Sequence, residues 1–283
     1  MSNPYLITGP ALISFSGGRT SAYMLKMILD AHGGTLPDGV HVCFANTGEE
    51  REETLRFVHE CGARWGVRVR WLEWLDRRKR TPAAERFEEV GFNSASREGE
   101  PFDRLIASKK AVPNQEHRWC TEHLKVQVMH DFMRVQGFEP GSYQEAVGLR
   151  SDEQWRYFKM LDRNDREGRD CIAPLVKAEV TKAAVIDWWS RQPFDLGLDA
   201  RLPDGNCVYC FMKGKRNLRF LIRSNRPGLV RWQRREAAHA DFSSRYSLTA
   251  LEAEVRASPC LPMMEDVEEY DAECGLWCSG EAA

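Results

Sequence analysis

Hydrophobic positions in the first quarter of the chain switch between two periods. Ala11-Leu12-Ile13-Ser14-Phe15 is a short apolar run with β-branched and aromatic members, which predicts a buried strand. It stops at Ser16-Gly17-Gly18, after which Ala22, Leu25, Ile28 and Leu29 recur at helical spacing. His32 to Gly39 has the composition of a turn. Val40 to Phe44 predicts a second strand, running into Ala45-Asn46-Thr47-Gly48. A helix from about Glu50 to Trp65 follows, with Leu55, Val58 and Cys61 on one face, and Val67 to Trp74 predicts a third strand. Strand–helix–strand–helix–strand order implies right-handed crossovers and a parallel sheet. Ligands of such sheets bind beyond the carboxyl ends of the strands, where Ser16-Gly17-Gly18 and Asn46-Thr47-Gly48 both fall.

Further along the pattern is less regular. Arg77 to about Pro113 is polar and weakly periodic, and is expected to be a long loop with short helices that acts as a lid. Thr121 to Gln136 predicts a helix with Leu124, Val128, Phe132 and Val135 inward. Tyr143 to Leu149 predicts a fourth strand ending at Gly148-Leu149-Arg150-Ser151-Asp152-Glu153, and Cys171 to Leu175 a fifth. Thr181 caps a helix to about Ser190 with Val185, Trp188 and Trp189 on its apolar side; the tryptophans, Trp232 included, read as core. Residues 195–206 are turn-rich, and the remainder is helical and charged until a Pro/Met segment near 259–264 and an acidic tail. The expected fold is α/β, a mostly parallel five-stranded sheet flanked by helices, as one domain over 1–217 with a helical extension over 218–283.

Composition narrows the function classes. The 283 residues are 42% hydrophobic, enough for a substantial core, and the net charge of −2 creates no global field toward nucleic acid or membrane. Basic clusters are local, at Arg77-Arg78-Lys79-Arg80 and Lys213-Gly214-Lys215-Arg216. No run approaches the ~20 apolar residues of a bilayer span, and Met1-Ser2-Asn3-Pro4 does not open a secretory signal. The cytoplasm is the expected compartment. There, nine cysteines are expected to be ligands, nucleophiles or packing residues rather than disulfides.

Two stretches carry chemistry. Gly17 and Gly18, at a strand-to-helix turn, let the backbone approach a ligand, and the helix N-terminus favours an anion. Ser14, Ser16, Thr20 and Ser21 bring hydroxyls and Arg19 brings charge, so the turn is a candidate phosphate- or sulfate-binding loop. Cys207 and Cys210 form a Cys-x-x-Cys pair that can place two thiolates on one metal or cluster, with Cys120 closing the set. Tetrahedral zinc is one metal such a set would hold.

In this order the motifs resemble the phosphoadenosine phosphosulfate reductase family, a branch of the adenine-nucleotide α-hydrolase (PP-loop) superfamily. The resemblance covers most of 11–217. It rests on Ser16-Gly17-Gly18-x-x-Ser21, Asn46-Thr47-Gly48 with Glu53-Thr54, Arg118-Trp119-Cys120 before His123-Leu124-Lys125, Gly148 to Glu153, Pro174-Leu175 and Cys207-x-x-Cys210. It implies a first loop that cradles phosphate or sulfate, with Arg150 and Lys125 neutralising charge around it. Arg150 is alternatively a surface ion-pair partner of Asp152 or Glu153. Asn46, Thr47 and Gly48 either face the adenine ribose and first phosphate or cap the next helix. The resemblance also implies a [4Fe–4S] cluster on Cys120, Cys207 and Cys210, with Cys171 as a candidate fourth ligand.

The tail Glu273-Cys274-Gly275-Leu276-Trp277 resembles the Glu-Cys-Gly-Leu-His end of sulfonucleotide reductases, with Trp277 in the histidine position. Cys274 is thereby the implied nucleophile, and a thioredoxin-like thiol the implied donor. The loop itself is nearer the Ser-Gly-Gly-x-Asp-Ser pattern of ATP pyrophosphatases, with Thr20 at the aspartate that bears on magnesium handling. Three readings follow. One is sulfonucleotide reduction to sulfite. The second is ATP-dependent sulfur transfer to a nucleic acid or small acceptor through a three-cysteine cluster. The third is a nucleotide- or cluster-binding sensor without catalysis.

Overall fold

A computed structural model describes residues 3–75, 81–205 and 207–258. Among them a six-stranded sheet runs through β1 (Ala11–Ser14), β2 (Val40–Asn46), β3 (Val69–Trp74), β4 (Phe87–Val90), β5 (Gln144–Ala146) and β6 (Asp170–Ile172). Its spatial order is β4-β3-β2-β1-β5-β6. All pairs are parallel except β3 with β4, which is antiparallel in the register Trp71 opposite Val90 and Trp74 opposite Phe87. The expected five-stranded sheet thus gains an edge strand from the segment read as a lid. Phe87-Glu88-Glu89-Val90 is too short and charged to declare itself locally. Its pairing is long-range, with Glu89 3.0 Å from Arg70 and 3.1 Å from Arg68.

Helices cover both faces. α1 (Arg19–Ala31), α2 (Glu52–Trp65), α7 (Pro174–Lys177) and α8 (Lys182–Ser190) lie on one side. Their Leu25, Ile28, Leu55, Val58, Leu175 and Trp189 join Ile13 and Phe44 in one core cluster. On the other side Leu12, Cys43 and Leu72 meet α3 (Glu100–Lys109), α5 (Val128–Val135), α9 (Lys215–Arg223), α10 (Leu229–Ala238) and α11 (Leu248–Ala257). Successive residues of β1 and β2 therefore alternate between two cores, as the period-two geometry of a strand dictates. Each fully buried Leu- or Phe-sized side chain contributes ~1.5–3 kcal/mol of transfer free energy, which fixes the strand register.

α6 (Gln154–Glu167) packs by Met160 at the β6 edge. The helix expected over 121–136 is α4 (Trp119–Thr121), a π-helical stretch Glu122–Gln127, and α5 in succession. Its Leu124, Val128 and Phe132 are buried, whereas Val135, expected inward, is exposed because the helix ends there. Thr181 caps α8 as expected, its hydroxyl accepting from the Ala184 N–H at 3.3 Å. Residues 217 and 218, either side of the expected domain break, lie inside α9. No helix among the described residues is long and apolar enough to cross a membrane.

The chain leaves β1 toward β2 on one side, while β5 joins β1 on the other. The crevice beyond the β1 and β5 carboxyl ends is therefore the topological switch point, where doubly wound sheets bind ligands.

Candidate functional site

The turn after β1 is closed from within. The Phe15 N–H still donates to the Cys43 carbonyl at 2.9 Å, and the Ser16 N–H then donates to Ser21 Oγ at 3.2 Å. The Ser16 and Ser21 hydroxyls are 2.9 Å apart, and Ser21 Oγ donates to the Gly18 carbonyl at 3.1 Å. Gly17 sits at φ +80°, and a Cβ there would lie 2.7 Å from Thr54 Cγ2 and 3.0 Å from Val58 Cγ2. Glycine is thus required both by conformation and by close packing on α2. Gly18 is the N-cap of α1 and offers no side-chain cap, so the positive end of the helix is presented at the crevice.

The loop after β5 packs directly on this turn: a Cβ on Gly148 would lie 3.1 Å from Ser21 Cα. Arg150 is only 2% exposed. One of its terminal nitrogens donates to Thr20 Oγ1 at 3.2 Å, its Nε donates to Asp152 Oδ1 at 3.0 Å, and Glu153 Oε2 lies 3.6 Å away. The ion pairs that the sequence offered as an alternative to a ligand role are therefore what aim this guanidinium at Thr20. Burial pushes the Asp152 carboxyl up, but the Lys182 N–H and Arg150 more than offset it and hold it below the usual range. Lys125 comes from the π-helical stretch, and its Nζ is 3.9 Å from Glu50 Oε1. Burial raises the Glu50 carboxyl despite Lys125 and the hydrogen bonds from Thr47.

These groups share one cleft of about 980 Å³, its open mouth included. Ser16, Gly17, Gly18, Thr20, Lys125, Arg150 and Lys182 supply its polar, cationic side. Val185 and Ile186 of α8, with Leu196, Leu198 and Leu202 of an irregular strap, supply an apolar side. Among the described lining residues none comes from 81–113, so the wall is formed by the strap and α8 rather than by the segment read as a lid. Thr54 stood in the sequence only as part of the Glu53-Thr54 motif, and Glu50, Lys182 and the strap leucines were not singled out; the turn-rich composition of 195–206 was the one local signal for the strap.

Several candidate residues lie beside the cleft rather than on it. Ser14 is buried at the end of β1, and Ser21 is the internal tie just described. Asn46 donates to Glu73 Oε1 at 2.6 Å and to the Ser96 carbonyl at 2.9 Å, and its Oδ1 accepts from the Gly48 N–H at 3.2 Å. Thr47 donates its hydroxyl to Glu50 at 2.9 Å. Gly48 packs on Gly99, 2.8 Å from where a Cβ would be. The Asn-Thr-Gly turn thus orders Glu50 at the cleft edge. Arg19 lines the cleft, yet its guanidinium turns to Asp195 and to the Leu198 carbonyl at 2.7 Å.

Cys210 is buried, while Cys120 and Cys207 are half-buried against the core on the α9 side. Cys207 Sγ is 3.7 Å from Thr47 Oγ1, and the fully buried Lys213 donates to the Cys207 and Val208 carbonyls at 2.9 and 2.8 Å. Cys171 is buried on β6, where burial pushes its thiol up. Among the described residues no three histidine, cysteine or carboxylate side chains come together as a metal-ligand group. Cys274 lies outside the described residues.

A switch-point cleft with a glycine anion loop defines a nucleotide-binding α/β protein of the PP-loop kind. The sequence pattern of the phosphoadenosine phosphosulfate reductase domain matches residues 10–156, just over half the chain, and the protein belongs to that family. It is 28% identical over 210 residues to the uncharacterized nin region protein ORF290 of Escherichia phage lambda, covering 73% of this chain and 67% of the phage protein. It is 21% identical over 251 residues to the uncharacterized protein MJ0066 of Methanocaldococcus jannaschii, covering 86% of this chain but 44% of the archaeal protein.

Proposed function

We propose that the protein is a sulfonucleotide reductase-type enzyme whose cleft takes adenylyl sulfate or its 3′-phosphorylated form. The observation that carries this reading is the convergence of the Gly17-Gly18 loop, Lys125, Arg150 and Lys182 on one cleft whose Thr20 accepts from Arg150. ATP pyrophosphatases resembling this loop have an aspartate at that position. Here the position carries no charge and buttresses a cation, which suits an anion held by protein donors.

In this reading the thiolate of Cys274 attacks the sulfonyl sulfur. The S–O bond to the phosphate breaks, and the bonding pair leaves with the nucleotide phosphate, whose developing charge the loop amides and Arg150 stabilise. The cysteine is left as S-sulfocysteine. A second thiolate, from a thioredoxin-like dithiol, then attacks the cysteine sulfur and releases sulfite as the two thiols become a disulfide. A protein cysteine needs nearby positive charge to be a thiolate at neutral pH, and the tail around Cys274 is acidic. Docking of the tail at the cleft would supply that charge from its cations.

The test is sulfite release from each sulfonucleotide with a dithiol present, for the parent chain and Cys274→Ala. Sulfite is expected from the parent and none from the variant; undiminished sulfite from Cys274→Ala would eliminate thiol attack. Lys125→Met is expected to weaken nucleotide binding by about tenfold or more, the value of one charge-assisted contact. ATP binding without sulfonucleotide binding, accompanied by pyrophosphate release, would move the assignment to ATP-dependent sulfur transfer.

A further inference from the structure

Arg19 is the first residue of α1 and belongs to the anion loop, yet its charge points out of it. Its Nε donates to Asp195 Oδ1 at 2.6 Å, a second nitrogen donates to Asp195 Oδ2, and the same nitrogen reaches the Leu198 carbonyl at 2.7 Å. Its own carbonyl accepts from Trp189 Nε1 at 2.9 Å, fastening the loop to α8 as well. Asp195 also accepts from the Gly197 N–H at 3.2 Å, which folds the start of the strap back on itself. Leu196, Leu198 and Leu202 beyond it are three of the five branched aliphatic side chains on the apolar side of the cleft. The strap has no ladder or helix to hold it; Leu196 and Leu198 pack into the core beside Val185 and Trp189, and side-chain bonds such as these hold the backbone that carries them there.

We propose that Arg19 is a positioning and specificity residue. Through Asp195 and the Leu198 carbonyl it latches the 195–205 strap as the apolar wall of the cleft, so that the site prefers an anion carrying an uncharged organic portion over a bare inorganic anion. This rests on the cleft being the nucleotide site. The cationic side alone would hold pyrophosphate or sulfate equally well. Only the apolar side rewards a nucleoside, and the strap's share of that side, beside Val185 and Ile186 of α8, stands in place only while the strap is fastened.

The experiment has two parts, on the full chain, with circular dichroism confirming that each variant folds. In ligand-free protein, amide exchange across 195–205 is expected to quicken in Arg19→Gln and in Asp195→Asn, and to return toward the parent rate in the charge-swapped Arg19→Asp/Asp195→Arg pair. Unchanged exchange in both single variants overturns the latch whatever the ligand. In calorimetry with adenylyl sulfate and with inorganic pyrophosphate, both single variants are expected to lose about tenfold in nucleotide affinity. Pyrophosphate affinity should stay within about twofold, and the double variant Arg19→Gln/Asp195→Asn should lose no more than either single one, as coupled partners do. Loss of pyrophosphate affinity in Arg19→Gln, with Asp195→Asn unaffected, would make Arg19 an anion ligand and overturn the proposal. A parent protein that binds pyrophosphate but no adenosine nucleotide would overturn the nucleotide reading and the specificity claim with it, while the exchange measurement still decides the latch.

Discussion

Replacing Gly17 by alanine tests the anion loop most directly, because two separate penalties can be worked out at that position. The first is conformational: at φ +80° an L-residue is in the left-handed region, which disfavours a Cβ by roughly 1–2 kcal/mol. The second is steric. The new methyl would lie 2.7 Å from Thr54 Cγ2, 3.0 Å from Val58 Cγ2 and 3.2 Å from Phe44 Cε2, all in a packed layer. Overpacking of that kind costs about 1–3 kcal/mol. Together Gly17→Ala should lose about 2–5 kcal/mol, a large share of the ~5–15 kcal/mol that stabilises a typical domain. Urea unfolding measures this as a lower midpoint at unchanged slope. The two parts separate in the double variant Gly17→Ala/Thr54→Ser, which removes the nearest methyl. It should recover most of the steric share and keep the conformational one. If Gly17→Ala unfolds within about 0.5 kcal/mol of the parent, the range of an ordinary surface change, the argument for this turn is wrong.

Glu145 is fully buried and accepts from Arg169 Nε at 2.9 Å, with His130 Nε2 3.3 Å away. Arg169→Ala strands that carboxylate and should lose about 3–5 kcal/mol in denaturant unfolding, whereas replacing Glu145 and Arg169 together by leucine should lose much less; equal losses would contradict the account. Burial holds the Glu50 carboxyl above its ordinary 4.5. The folded chain therefore binds that proton more tightly than the unfolded chain. This contribution to stability is full below the ordinary value and is lost as pH rises through the raised one. From about pH 4.5 upward the parent's urea midpoint should drop relative to that of Glu50→Gln, and a difference that stays constant with pH would refute the assignment.

The parallel half of the sheet was legible because β1 and β2 are dense apolar runs, each followed by a periodic helix, and β3 alternates directly after the second of them. Gly148-Leu149-Arg150 was legible because a glycine and an arginine at a strand end have a clear use there. β4 was not, since its stability comes from β3 and from Arg68 and Arg70, none of which is near it in sequence. Asn46 and Thr47 show why spacing cannot finish the assignment of a site. Both stand at the carboxyl end of a strand as ligand-binding residues do, but Glu73 and Glu50 engage them, and neither carboxylate announces its partner. The strap leucines follow no period at all; only the fold turns them toward the loop.

One buried carboxylate ties together segments far apart in the chain. Glu49, next to the Asn-Thr-Gly turn, accepts from Trp232 Nε1 at 2.7 Å and Arg231 Nε at 3.0 Å and pairs with Arg235 at 2.7 Å, while Arg235 also donates to Asp103 at 2.6 Å. Excising α10 would strand an acidic group at the root of the very loop that presents Glu50. A shortened chain lacking the later helices is therefore a poor surrogate for measuring what the cleft binds, and splitting or fusing the polypeptide is better attempted where no such joint is crossed.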